Sequence, residues 1–174
     1  AQTCCGALAF HAGDEDIALN LARQNINYFS ATDGDIVVTS AGCGAILKSY
    51  GHILANDPVY ADKARAFASR VKDFSEAIDP QQLKNSLIKD NSGARVKVAY
   101  HAACHLAHAQ GVRLEPKALL DVLAQNQLVE LIALVDSEHC CGSAGIYNLI
   151  NTELSLKVLD AKMQNVKDCA VDCV

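Results

Sequence analysis

The chain has 174 residues, 51% of them hydrophobic, and 15 Lys and Arg against 20 Asp and Glu, for a formal net charge of -5 at pH 7. That apolar content is ample for one domain or two small intertwined lobes, and the lack of clustered cations excludes a nucleic-acid surface, which needs Lys and Arg grouped against phosphates. No stretch approaches the roughly 18 consecutive apolar residues of a membrane-spanning helix, so membrane contact is expected only through a partner.

In chain order, Thr3-Cys4-Cys5-Gly6 comes first, followed by residues 7–12 and Gly13. Asp14 or Asp16 can cap a helix carrying Ile17, Leu21, Asn25 and Tyr28 at helical spacing. Asp33-Gly34 ends it, and residues 35–39, rich in β-branched side chains, read as a short buried strand. The loop Ser40-Ala41-Gly42-Cys43-Gly44 leaves that strand and precedes a helix over 45–54. Pro58 opens a further helix with Ala61, Ala64, Phe67, Ala68, Val71 and Phe74 on one face. Residues 79–93, with Pro80, Asn85, Asn91, Ser92 and Gly93, read as a polar bridge holding one short helix.

Past the bridge, residues 96–100 are strand-like, and His101-Ala102-Ala103-Cys104-His105 leaves their end. A helix over 116–124 and an apolar strand over 128–135 lead to His139-Cys140-Cys141-Gly142. Residues 143–148 and 152–166 read as helical, and 170–174 as the start of another strand. The recurring order of strand, cysteine loop and helix predicts an α/β fold. We expect two pseudo-repeated lobes, 1–78 and 94–174, with short parallel strands flanked by helices and cysteine loops at the C-terminal ends of the strands, where sites assemble in such sheets.

Eight cysteines set among long helical patterns and apolar strands point to metal or redox chemistry in a reducing compartment rather than to a disulfide scaffold. A Cys-Cys pair at a turn can aim both sulfurs at one centre, whereas in a strand they would face opposite ways, and the following Gly supplies positive φ. Cys5 and Cys43 have 37 residues between them, and Cys104 and Cys140 have 35. The first interval counted on from Cys141 lands at about position 179, beyond Val174. Together with Ala1 in place of Met, this reads as a piece cut at both ends, holding the latter part of one repeat and a second repeat stopped before its last Cys. His11, His105 and His139 lie near thiols, so a zinc site with mixed Cys and His ligands competes with an iron-sulfur centre, and thiol-disulfide exchange is a third reading. His101, His105 and His108 are equally read as solvated or backbone-bonded imidazoles, and Cys169 and Cys173 as packing residues. No Gly-x-Gly-x-x-Gly fingerprint or phosphate loop occurs, which places any flavin or nicotinamide in another chain.

The pattern Cys, about 35 residues, Cys-Cys-Gly, about 37 residues, Cys resembles the cysteine-rich CCG domain found twice in the cysteine-rich chain of heterodisulfide reductase and in iron-sulfur subunits of 2-hydroxy-acid and glycerol-3-phosphate dehydrogenases. More narrowly, the words at residues 3–8, 101–111 and 139–147 resemble the glycolate oxidase iron-sulfur subunit family. The resemblance implies a subunit that accepts electrons from a flavin (FAD) partner subunit oxidising glycolate and passes them toward a membrane acceptor. It implies a cytoplasmic location, with peripheral attachment to the inner face of the cell membrane as a further expectation. It also implies Cys4, Cys5 and Cys43 as ligands of one centre and Cys104, Cys140 and Cys141 as ligands of the other. Two departures are visible. No ferredoxin-type Cys-x-x-Cys-x-x-Cys occurs in the chain, and Ser40 stands where the final Cys-x-x-Cys of heterodisulfide reductase has its first thiol.

Overall fold

Gly6 carries the chain out of the first Cys-Cys turn at φ 85°, into the short helix α1 (Ala7–His11). Asp14 then caps α2 (Glu15–Phe29), accepting a bond from the Ile17 N–H at 3.2 Å. The computed structural model that shows this describes residues 2–88, 93, 95–143 and 145–174. The buried stripe of α2 is Ala18, Ala22, Asn25 and Ile26; of the expected face Asn25 is buried and Leu21 partly so, while Ile17 and Tyr28 stand about half exposed. Small side chains win the inward face because the cysteine turn lies directly against the helix there, and only alanines leave room for that approach.

Strand β1 (Ile36–Val38) follows as expected, but α3 (Ala41–Lys48) begins earlier than its glycines suggested. Gly42 and Gly44 sit inside its first turn, closed by a bond from the Gly44 N–H to the Ser40 carbonyl at 2.8 Å. Cys43 is therefore a first-turn helical residue and not a loop residue. The expected 45–54 helix is interrupted at Ser49, whose hydroxyl donates to the Ala45 carbonyl at 2.8 Å; the chain resumes as α4 (Tyr50–Ile53). After α5 (Ala61–Arg70), Val71 and Phe74 do not extend the helix. Residues Val71–Asp73 form β2, paired in parallel with β1 through Ile36 with Val71 and Val38 with Asp73. Arg70 fixes this exit by donating to the Gly34 and Phe29 carbonyls, so tertiary bonds override the helical period. Asp73 and Glu76 then form a capping box that starts α6 (Phe74–Ala77).

The expected bridge contains α7 (Pro80–Ser86), capped by Asp79; Asn91 and Ser92 lie outside the described residues. Strand β3 (Val96–Ala99) leads to Cys104 and a π-helical turn, His105–Ala109, then to α8 (Glu115–Gln125). β4 (Val129–Ile132) pairs in parallel with β3 and is shorter than the apolar run it sits in. The 143–148 helix is displaced to α9 (Tyr147–Ile150), with Ala144 outside the described residues, and α10 (Thr152–Asp168) closes the helical part. Residues 170–174 contribute one parallel bridge, Cys173 with Val98, on the side of β3 away from β4.

The result is an α/β fold with two small parallel sheets, β1 with β2 and β3 with β4. The first sheet packs with Ala22, Ile26, Ile46, Tyr50, Leu54 and Phe67 into one core. Among the described residues no helix is long and apolar enough to cross a membrane.

Candidate thiol centres

β1 ends beside the Cys-Cys turn, so Cys4, Cys5 and Cys43 line one cavity of about 460 Å³ together with Asn25 and the β1 residues. The Gly6 N–H points back at Cys4 Sγ, 3.5 Å away. Asn25, 2% exposed, holds the turn from below: its Oδ1 accepts from the Thr3 N–H at 3.0 Å and its Nδ2 donates to the Cys4 carbonyl at 2.9 Å. Tyr50, fully buried, donates its hydroxyl to the Cys5 carbonyl at 2.8 Å and accepts from Asn25 Nδ2 at 3.3 Å. The orphan carbonyls of a tight turn are thus satisfied by two buried side chains, which fixes the direction of both sulfurs.

Burial pushes the Cys5 thiol up to about 12 from an ordinary 9.0, and the neighbouring Cys43 and Cys4 sulfurs push in the same direction. Tyr50 is raised too, by burial first and then by the three thiols. Both shifts arise first from burial, which opposes any negative charge in this cleft, and the neighbouring sulfurs add to it.

The Cys140-Cys141-Gly142 turn has the same form. Gly142 has φ 80° and its N–H points at Cys140 Sγ, 3.3 Å away. Its carbonyl accepts from Ser155 Oγ at 2.8 Å. The loop carrying Cys104 is stitched to this one through the Ser137 carbonyl, which accepts from the Ala102 N–H at 3.1 Å and pairs with His101 Nδ1 at 2.8 Å. Cys104 Sγ itself lies 3.8 Å from His105 Nδ1. Beneath the loop, Lys162 Nζ donates to the Asp136 and Ser137 carbonyls at 2.9 and 3.0 Å.

All eight cysteines are free thiols, Cys4, Cys140 and Cys173 exposed and the others partly buried. Cys169 Sγ points at the Ala133 carbonyl, 3.4 Å away, whereas Cys173 is exposed and so is not the packing residue expected. Among the described residues no three His, Cys, Asp or Glu side chains are gathered tightly enough to hold a metal ion. At Cys4, Cys5 and Cys43 the donor chemistry fits a soft cation: three thiols on one cavity, with a backbone N–H aimed at Cys4 Sγ. Of the histidines, His101 is backbone-bonded, His108 pairs with Arg113 and Glu138, and His139 is exposed. His11 and His105 lie near each other, their rings tilted with centres 6.2 Å apart.

Asn25, Tyr50, Ser155 and Lys162 were not singled out from sequence as site residues. Counted from the helix starts, Asn25 and Lys162 are each the eleventh residue of their helix, but counted from the Cys-Cys-Gly words they are offset by one, so no sequence signal paired them. Nothing local marks Tyr50.

A family model described as CCG, cysteine-rich domain, matches residues 1–48 and 98–174. The chain is 41% identical over 170 residues to a probable glycolate oxidase iron-sulfur subunit of Bacillus subtilis (strain 168), covering 95% of this chain and 36% of that protein. It is 36% identical over 164 residues to the glycolate oxidase iron-sulfur subunit of Escherichia coli (strain K12), covering 92% and 38%. Lactate utilization protein A of Geobacillus thermodenitrificans (strain NG80-2) is 30% identical over 175 residues, covering 99% and 69%. The chain thus spans little more than a third of the length of the first two.

Proposed function

For a chain that belongs to the CCG cysteine-rich domain family, we propose the role of the thiol-bearing part of an iron-sulfur subunit in a glycolate or other 2-hydroxy-acid oxidase complex. Two cysteine-rich repeats, 1–78 and 94–174 joined by the 79–93 bridge, carry Cys4, Cys5, Cys43 and Cys104, Cys140, Cys141 as the cluster-holding thiols. An iron-sulfur cluster bound there supplies one-electron capacity. The protein's own part is to aim the sulfurs with the Gly6 and Gly142 turns, to donate N–H bonds to Cys4 and Cys140, and to fix the turn carbonyls through Asn25, Tyr50 and Lys162. The electrons come from FAD on a partner subunit, in a cytoplasmic complex that meets the membrane at its inner face.

The observation that carries this reading is the convergence of Cys4, Cys5 and Cys43 on one cavity, in which burial and sulfur-sulfur repulsion leave Cys5 in want of a cation. Anaerobic purification followed by visible absorption and iron and zinc analysis tests it. Iron with broad thiolate-to-iron absorption is expected, and zinc in its place sinks the reading. One observation favours that zinc alternative at the second site: His105 Nδ1 beside Cys104 Sγ offers a mixed nitrogen and sulfur donor pair.

A further inference from the structure

Strands β1, β2 and β3 all end at a second cavity, of about 530 Å³. Thr39 follows β1 directly, Asp73 is the last residue of β2, Tyr100 follows β3, and all three line the cavity. In parallel α/β sheets this carboxyl edge is where ligands bind. The walls are apolar, with Phe74, Leu83, Leu106, Leu119 and Leu123 among them. Apolar walls, a few polar groups and this volume are the marks of a small-molecule site, whereas packing gaps in a core are seldom larger than a water molecule.

Of the polar groups, Asp73 carries the full charge. It is 7% exposed, and its Oδ1 accepts from the Ser75 N–H at 2.9 Å and the Ser75 hydroxyl at 2.6 Å. Among the described residues no group donates to its Oδ2, and no cation lies within ion-pairing distance of it. Two lysines close to it are engaged elsewhere: Lys72, its neighbour in sequence, pairs with Asp35 at 2.8 Å, and Lys48 pairs with the capping-box Glu76 at 2.5 Å. The Tyr100 phenol feels the same charge, since burial first and then Asp73 raise its pKa. The N-terminal ends of α3 and α8 also border the cavity, through Ala41 and Pro116. Pro116 has no N–H to offer, and each dipole end is a fraction of the charge on Asp73. A carboxylate buried in an apolar recess is costly without a counter-charge, so the chemistry that complements this cavity is cationic at one end and apolar along its length.

We propose that the cavity is a binding site for a small hydrophobic amine, its ammonium paired with Asp73 beside the Thr39 and Tyr100 hydroxyls and its apolar body lying against Leu106, Leu119 and Leu123. The site needs no metal at the cysteines and stands apart from the iron-sulfur reading. Thr39 also lines the cavity of Cys4, Cys5 and Cys43, so a bound amine sits beside those thiols.

The test is isothermal titration calorimetry of the full chain near neutral pH with three probes of one length: octylamine, octanol and octanoate. The amine should bind about tenfold tighter than the alcohol, the margin of a charge-assisted over a neutral hydrogen bond, and the acid most weakly. Asp73→Asn keeps a side chain that caps a helix as well as Asp does; it should bring the amine down to the alcohol and leave the alcohol unchanged. Leu123→Trp, which fills the recess, should weaken amine and alcohol together. Should one variant fail to fold by circular dichroism, the other and the wild-type order of the three probes still decide. An amine that binds no tighter than the alcohol, or shows no saturable binding, overturns the proposal. So does an amine preference that survives Asp73→Asn, or binding untouched by Leu123→Trp, which would put the probe elsewhere on the surface.

Discussion

Replacing Gly142 by alanine tests the structural basis of the cysteine turn most sharply. At φ 80° the added Cβ forces a non-glycine residue into the left-handed region, which costs about 1–2 kcal/mol. The same Cβ would sit 2.5 Å from the Ser155 carbonyl oxygen, a backbone atom in the first turn of α10 that cannot swing aside. Forcing the helix away adds an overpacking cost of about 1–3 kcal/mol and strains the Ser155 Oγ bond to the Gly142 carbonyl. The sum is roughly 2–5 kcal/mol, which for a chain of this size lowers the melting temperature by about 4–20 °C. Gly6→Ala meets the Ala18 carbonyl at 3.3 Å, a contact that a shift of a few tenths of an ångström relieves, so its cost should stay near the left-handed penalty alone, about 1–2 kcal/mol. Urea unfolding of both variants followed by circular dichroism measures the difference. A Gly142→Ala variant within 1 kcal/mol of wild type, or a Gly6→Ala variant more damaging than it, would refute the close turn-to-helix packing.

Tyr50→Phe removes the donor to the Cys5 carbonyl and an acceptor from Asn25 in a fully buried setting, and should lower stability by about 1–3 kcal/mol in urea unfolding; an unchanged midpoint would show the carbonyl is otherwise satisfied. With the Cys5 thiol pushed up to about 12, iodoacetamide at pH 8 should label Cys5 far more slowly than free cysteine, read by peptide mass mapping; labelling as fast as free cysteine contradicts that environment. The linked stability effect has a definite sign. A raised thiol favours the folded state below the unfolded value of 9.0, so metal-free protein should lose stability as pH climbs from about 9 to 12, and a Cys5→Ser variant should lose less over that window. Gly44→Ala would put a Cβ against the Gln110 amide, whose Nε2 donates to the Ala41 carbonyl at 2.9 Å. The flexible amide should yield, at a cost of about 1 kcal/mol for the lost bond, and a cost above 3 kcal/mol would show that Gln110 is held rigidly.

The alternation of strand, cysteine segment and helix was legible in the sequence because β-branched runs such as Ile36-Val37-Val38 and the capped, periodic stretch after Asp14 carry their own signals. Helix α8, read as 116–124, differs from Glu115–Gln125 only at its ends. What escaped was decided by distant partners. Val71 continues a helical period in sequence, yet pairs with Ile36 because Arg70 is held by carbonyls more than thirty residues away. The inward face of α2 is set by the cysteine turn lying on Ala18, so the large residues Ile17 and Tyr28 stay outside. Two glycines around Cys43 suggested a loop, but the Ser40 carbonyl closes a helical turn across them. In the site, the thiols announce themselves by type and spacing, whereas Tyr50 and Lys162 act through backbone carbonyls and carry no local motif.

The central claim is that two separate groups of three thiols each hold a metal centre. It is tested most directly by measuring iron and acid-labile sulfide in anaerobically prepared wild type and in two triple variants, Cys4, Cys5 and Cys43 to Ser and Cys104, Cys140 and Cys141 to Ser. Each triple variant should fold and retain about half the wild-type iron and sulfide, with the spectrum of the remaining centre. Wild-type protein without iron, or a triple variant that keeps the full wild-type content, would contradict the account.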